Sequence, residues 1–235
     1  MKLIVGNFKM NLLIDDINNY LKELSNQDFF NVVYCPSYIY LSNFIDNNLV
    51  VGAQDVSSHE NGAYTGEVSA TQLKQVGVKY AIIGHSERRK YFNESDILLD
   101  KVKICLKEGI IPIFCIGETK EEYNNDETLS VLKNQLDLVL GKVNLDDVII
   151  AYEPIWSIGT GLIPSNEEIS KVIDYIKEYI YNNCKVNVKV LYGGSVNNQN
   201  IFELEKVNNI DGYLIGGCSV KADEFIKLVK FINKH

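Results

Sequence analysis

The sequence predicts an α/β protein of the (β/α)8 barrel class, eight parallel strands surrounded by helices. Three observations predict it. Short apolar runs recur along the whole chain. Segments with helical spacing lie between them. No linker, low-complexity run or break in composition divides them, so one domain is expected over residues 1–235. Strand alternating with helix eight times favours a closed parallel barrel over an open sheet. The rival is a doubly wound open sheet. Its dinucleotide-binding version would carry G-x-G-x-x-G after the first strand, and this chain does not.

In order, the apolar runs are Leu3-Ile4-Val5, Val32-Val33-Tyr34, Leu49-Val50-Val51 and Ala81-Ile82-Ile83. Then come Ile110 to Cys115, Val148 to Ala151, Val188-Lys189-Val190-Leu191 and Gly212-Tyr213-Leu214-Ile215. Runs this short and this apolar suit strands buried on both faces. Leu129, Leu132, Leu136, Val139 and Leu140 form a helical stripe. Ile169, Val172, Ile173, Ile176 and Ile180 form a second, following i, i+3, i+4, i+7 and i+11. Ser165 and Glu168 have the spacing of a capping box at its start. Phe225, Leu228, Val229 and Ile232 form the last stripe.

At 235 residues and 46% hydrophobic content the chain can bury a substantial core. Lys plus Arg is 23 and Asp plus Glu is 31, so the net charge is 23 − 31 = −8. That balance disfavours a nucleic-acid binder, while leaving room for a local anion site built from backbone amides. Leu3-Ile4-Val5 is too short for a signal core, and no apolar stretch approaches the roughly 18 residues of a membrane span. Five widely spaced cysteines (Cys35, Cys105, Cys115, Cys184 and Cys218) suggest reduced thiols and a cytoplasmic location. Without CxxC or HExxH, no structural metal is expected. Asn93-Glu94-Ser95 matches a glycosylation sequon and is read as chance.

In a parallel barrel the chemistry sits in the loops after the strands. The sixth strand runs into Glu153-Pro154-Ile155-Trp156-Ser157-Ile158-Gly159-Thr160-Gly161. Pro154 stops the strand, and the two glycines allow backbone geometry that other residues resist. Glu153 is the candidate general base, suited to an apolar site that closes. The bland alternative is a strand-end carboxylate paired with a cation. After the first strand, Gly6-Asn7-Phe8-Lys9-Met10-Asn11 offers Lys9 to bind an anion and stabilise charge developing on its oxygen, with Asn7 orienting that oxygen. A plain surface lysine is the competing reading. Of three histidines, His59 falls in a polar loop, His235 is the terminus, and His85 follows the fourth strand. There it precedes a helical turn, whose N-terminal dipole disfavours imidazolium and leaves a neutral donor. Glu87 and Arg88 read equally as a solvated charge cluster or as support beside the site. Tyr192-Gly193-Gly194-Ser195-Val196 and Gly216-Gly217-Cys218-Ser219 follow strands seven and eight, where barrels commonly hold phosphate. A base, a neutral donor, a cation, a lid and a phosphate cradle suit proton abstraction next to a carbonyl in a small phosphorylated sugar.

These segments, as an ordered set, resemble triosephosphate isomerase from first strand to last helix. The resemblance implies the TIM barrel and interconversion of dihydroxyacetone phosphate and glyceraldehyde 3-phosphate, in glycolysis and gluconeogenesis, without a cofactor. It implies that Glu153 shuttles the proton, that His85 acts as neutral acid, and that Lys9 with Asn7 binds substrate. It implies phosphate binding by the amides of Gly159, Ser195, Gly216 and Gly217, with Glu87 beside Lys9. It also implies a homodimer. The segment from Gly52 to Glu67 is similar to the family's third loop, placing Thr65 near the partner's site and Glu67 against the partner's Arg88.

The chain departs from the family pattern in two places. Phe8 replaces a frequent Trp. The lid ends Gly161-Leu162-Ile163-Pro164, and Pro164 has no N–H to meet the Tyr192 hydroxyl on closure. Closure is therefore expected to rely on Ser195 with Gly161 and on Trp156 with Glu118. Two other functions remain in play on the sequence: a Schiff-base aldolase using Lys9, and a barrel that has lost catalysis and serves as a binding scaffold.

Overall fold

The computed structural model describes residues 1–234; His235 lies outside them. The first half contains β1 (Leu3–Asn7), α1 (Ile14–Leu24), β2 (Val32–Cys35), α2 (Leu41–Ile45), β3 (Gly52–Ala53), α3 (Ala70–Val76), β4 (Tyr80–Ile83), α4 (Ser86–Phe92) and α5 (Leu98–Glu108). The second contains β5 (Ile111–Ile116), α6 (Lys120–Asn124), α7 (Thr128–Leu136), β6 (Ile149–Tyr152), α8 (Asn166–Cys184), β7 (Lys189–Tyr192), α9 (Ile201–Leu204), β8 (Gly212–Ile215) and α10 (Ala222–Ile232). The eight strands are parallel, in the order β2-β1-β8-β7-β6-β5-β4-β3. A parallel bridge between Tyr34 and Val51 joins β2 to the β3 edge and completes the ring.

Two cores follow from the alternation of side chains along each strand. Val5, Val33, Ile82, Ile113, Ala151, Leu191 and Leu214 point inward and fill the barrel. Their neighbours Ile4, Val32, Ile83, Phe114, Ile150 and Val190 point outward and pack under the helices. The α8 stripe Ile169, Val172, Ile173, Ile176 and Ile180 is buried there. Its capping box is formed: Glu168 N–H donates to Ser165 Oγ at 3.2 Å, and Ser165 N–H donates to Glu168 Oε2 at 2.8 Å. The stripe beginning at Leu129 is helical only to Leu136, and Val139 is buried from the turn that follows.

Two sequence expectations shift. The third strand lies at Gly52–Ala53 rather than at Leu49–Val51. A Cβ on Gly52 would meet Cys35 Sγ at 2.7 Å, so the closely packed position needs a glycine, which the apolar run does not include. The described residues also hold ten α-helices rather than eight. Asn93 (φ 53°) and Asp126 (φ 58°) adopt left-handed backbone and split two of the connections into α4 with α5 and α6 with α7.

Candidate active site

The inward alternation carries on to the end of β1 and one residue past β6. Asn7 is two residues beyond Val5 and Glu153 two beyond Ala151, so both side chains rise at the C-terminal mouth of the barrel. Glu153 is 2% exposed. Its Oε1 lies 3.3 Å from His85 Nε2, and its Oε2 accepts the Ser86 backbone N–H at 3.3 Å. His85 caps α4, accepting the Glu87 N–H on Nδ1 at 3.2 Å. With Nδ1 occupied as acceptor, the proton of a neutral imidazole is assigned to Nε2, the nitrogen that faces Glu153.

Lys9 is held in a left-handed backbone conformation (φ 52°). Its N–H donates to Asn7 Oδ1 at 3.1 Å, and its carbonyl accepts from Gln54 Nε2 at 2.8 Å and Ser37 Oγ at 3.2 Å. These bonds secure a conformation that a lysine ordinarily avoids. The ammonium lies 2.7 Å from Glu87 Oε1. Asn7 thus spends its oxygen on the Lys9 backbone, leaving its amide N–H groups to face a ligand.

Beyond Glu153 the lid begins with a tight turn at Ile155–Ser157 and continues through Gly159 (φ 70°) and Gly161 (φ 78°). Trp156 Nε1 donates to Glu118 Oε1 at 2.9 Å, and the Tyr152 hydroxyl donates to the same oxygen at 3.3 Å. Burial drives the Glu118 carboxyl up, and these two bonds only partly oppose it. Pro164 is buried and Ser165 caps the start of α8.

A cavity of about 300 Å³ sits over this mouth. Asn7, Lys9, His85 and Glu153 line one part, and Gly159, Ser195, Gly216 and Gly217 line another. Eight positions singled out in the sequence therefore meet around one space large enough for a small molecule. Glu87 stands behind Lys9, while Trp156, Glu118 and Tyr192 flank the lid. Thr65 and Glu67 are exposed on the loop between β3 and α3 and do not line the cavity. Arg88 turns away from it, with Nη2 3.0 Å from Asp55 Oδ2, in contact with Glu94, and its guanidinium over the Phe92 ring. Among the described residues no cluster of three or more His, Cys, Asp or Glu side chains is arranged to hold a metal ion.

Several contributors were not read from the sequence. The Ser86 amide binds Glu153, and Gln54 reaches from β3 to tie down the loop after β1. Arg89, in the charged run after His85, is a buttress: Nε donates to Gly84 O and Nη2 to Cys115 O, both at 2.7 Å. Burial pushes the Cys115 thiol well up, and the neighbouring Glu153 adds to it. Burial likewise pushes Cys218, on the cavity wall, up to about 11. No local pattern announces the contacts of Ser86, Gln54 and Arg89, because each acts across a gap between elements.

Comparison with known proteins gives one result. The family model described as triosephosphate isomerase matches residues 2–232. The triosephosphate isomerase of Alkaliphilus oremlandii (strain OhILAs) is 43% identical over 247 residues, covering 97% of this chain and 98% of that protein. That of Buchnera aphidicola subsp. Baizongia pistaciae is 41% identical over 97% and 98%, and that of Mesomycoplasma hyorhinis 41% over 97% of each.

Proposed function

We propose a division of labour at the mouth of this chain, which belongs to the triosephosphate isomerase family and interconverts dihydroxyacetone phosphate and D-glyceraldehyde 3-phosphate. Glu153 takes a proton from the carbon beside the carbonyl and returns it to the neighbouring carbon. The intermediate is an enediolate. Lys9 stabilises its oxygen charge as a cation, and His85 donates Nε2–H to the same oxygens. The amides of Gly159, Ser195, Gly216 and Gly217 hold the phosphate. The lid from Ile155 to Pro164 excludes water that would otherwise compete. No cofactor enters the scheme. The observation carrying this reading is the 3.3 Å approach of His85 Nε2 to Glu153 Oε1 inside a cavity that Lys9 also lines. An atom bridging them would have its proton acceptor and its hydrogen-bond donor on adjacent sides.

The test is turnover of glyceraldehyde 3-phosphate, coupled to an NADH-dependent reductase of the ketose product, in the wild type and Glu153→Gln. The wild type should exceed the variant by orders of magnitude. Equal rates would end the reading. Borohydride added with substrate should leave no adduct on Lys9, and an adduct would point to Schiff-base chemistry instead.

The working unit is a homodimer in the cytoplasm. A second cavity of about 460 Å³, lined by Met10, Ser37, Tyr38, Arg88, Tyr91 and Phe92, also borders Lys9 and His85. Met10, Tyr91 and Phe92 are exposed beside it, an unusual concentration of apolar surface. The protruding loop carrying Thr65 and Glu67 in a second copy suits that socket. The cytoplasmic assignment rests on five unpaired cysteines.

A further inference from the structure

We propose that Ser157 is a positioning residue that couples phosphate binding to the lid by exchanging one hydrogen-bond donor for another. The inference rests on the isomerase reading in one respect, the assignment of the Ser195 amide to the phosphate.

Ser157 lies in the lid's first turn and is fully buried. Its hydroxyl donates to the Leu162 carbonyl at 2.6 Å, tying the two ends of the lid together. The same oxygen accepts the Ser195 N–H at 3.2 Å, tying the lid to the loop after β7. An amide that donates to Ser157 cannot donate fully to a phosphate. Phosphate arrival therefore takes the Ser195 N–H away and leaves Ser157 Oγ short of a donor.

A replacement donor stands beside it. The Tyr192 hydroxyl is buried and makes no hydrogen bond of good geometry to a protein group among the described residues; the Ser157 hydroxyl is near enough to oppose, in part, the upward push of burial on its pKa. It adjoins Ser157: a Cβ built on Gly194 would fall 2.2 Å from the Tyr192 hydroxyl oxygen and 2.9 Å from Ser157 Oγ. Pro164, farther along the lid, has no N–H to offer Tyr192. Once the Ser195 amide has moved to phosphate, the Tyr192 O–H donates to Ser157 Oγ, and Ser157 keeps its own proton on the Leu162 carbonyl. Each buried polar group is then paired in the bound state, which removes the cost of leaving one unmet. The lid ends stay joined throughout, and only the donor from the barrel changes.

The chain's single tryptophan, Trp156, adjoins Ser157 and reports on the lid. The experiment is titration with inorganic phosphate, followed by Trp156 emission, for the wild type, Ser157→Ala, Tyr192→Phe and the double variant. Tyr192→Phe should weaken phosphate about fivefold, the worth of one net hydrogen bond, because Ser157 surrenders an amide and receives nothing. Ser157→Ala should bind phosphate close to the wild type, since it loses two bonds in each state: the Leu162 bond throughout, and the Ser195 or the Tyr192 bond in turn. Adding Ser157→Ala to Tyr192→Phe should restore near-wild-type binding. Ser157→Thr, which keeps the hydroxyl, should leave the Tyr192→Phe defect in place, and it serves if Ser157→Ala folds poorly. A double variant weaker than either single one, as simple loss of packing would give, overturns the proposal. So does a wild type whose Trp156 emission ignores phosphate. The titration needs no turnover, so failure of the isomerase assay and failure of this exchange are separate results.

Discussion

Glu153 and His85 face each other across the barrel mouth with 3.3 Å between carboxylate Oε1 and imidazole Nε2. The Ser86 amide holds the other carboxylate oxygen at the same distance. The base is therefore positioned on both oxygens before any substrate arrives. Glu153→Asp withdraws the carboxylate by about one methylene and breaks that placement, so kcat should fall on the order of 10²-fold or more. Steady-state kinetics checks it, and a near-normal rate would contradict the geometric argument.

Gly117 leaves room for the Glu153 backbone. A Cβ there would lie 1.7 Å from the Glu153 carbonyl oxygen. Gln135 clamps Gly117 from the other side, with bonds of 2.8 Å to its N–H and 2.9 Å to its carbonyl, so the loop cannot retreat freely. Gly117→Ala should destabilise the fold by about 3 kcal/mol and lower kcat as Glu153 shifts. Urea unfolding alongside kinetics tests both halves; unchanged stability with unchanged rate would show that the loop yields.

Asp55, Glu94 and Lys101 are buried and form a charge cluster with the half-buried Arg88. Lys101 Nζ is 2.7 Å from Asp55 Oδ1 and 2.9 Å from Glu94 Oε2. Burial alone would raise Glu94, but the bonds from Arg88 and Lys101 outweigh it and hold the carboxyl below its ordinary range. A depressed folded value means stability that is present above the unfolded carboxylate value of about 4.3, and that is lost as pH falls through the lower folded value. Asp55 runs the other way, because its burial outweighs its attraction to Lys101. Comparing Glu94→Gln with the wild type at each pH isolates the Glu94 contribution. The variant should be about 3 kcal/mol less stable at pH 7, with the gap narrowing below pH 4. A gap that stays constant from pH 7 to pH 3.5 would refute the ionic account.

The proposed dimer predicts that specific activity depends on concentration. Dilution toward the dissociation constant should lower activity per chain and the melting temperature together, since association stabilises only the folded form. Sedimentation on the same samples supplies the mass. A monomer with full activity would remove the partner loop from the mechanism.

Much of this protein was legible in the chain. Leu3 to Lys9 and Ile149 to Glu153 show it best, because inward and outward residues alternate through the strand and deliver Asn7 and Glu153 to the mouth. The Ser165 capping box and the α8 stripe were equally plain. Gly52 was not: its strand is defined by backbone pairing with Tyr80 and Ala81 of β4 and has no room for a side chain beside Cys35, and a glycine carries no apolar signal. Glu87 read equally as a solvated charge or as support beside the site, and its carboxylate is spent on Lys9; Arg89, next in the same charged run, is spent on the carbonyls of Gly84 and Cys115.

By itself the sequence determined periodicity, strand ends and the types of side chain available at each loop, since these depend on local spacing and intrinsic chemistry. Tertiary structure alone decided which loops face one another across the closed ring. It therefore decided that Ser157 meets Ser195, that Asp55 meets Lys101, and that His85 presents Nε2 to Glu153. Those pairings are set by ring closure and strand register, which bring distant residues within bonding distance and leave no trace in the spacing of either segment.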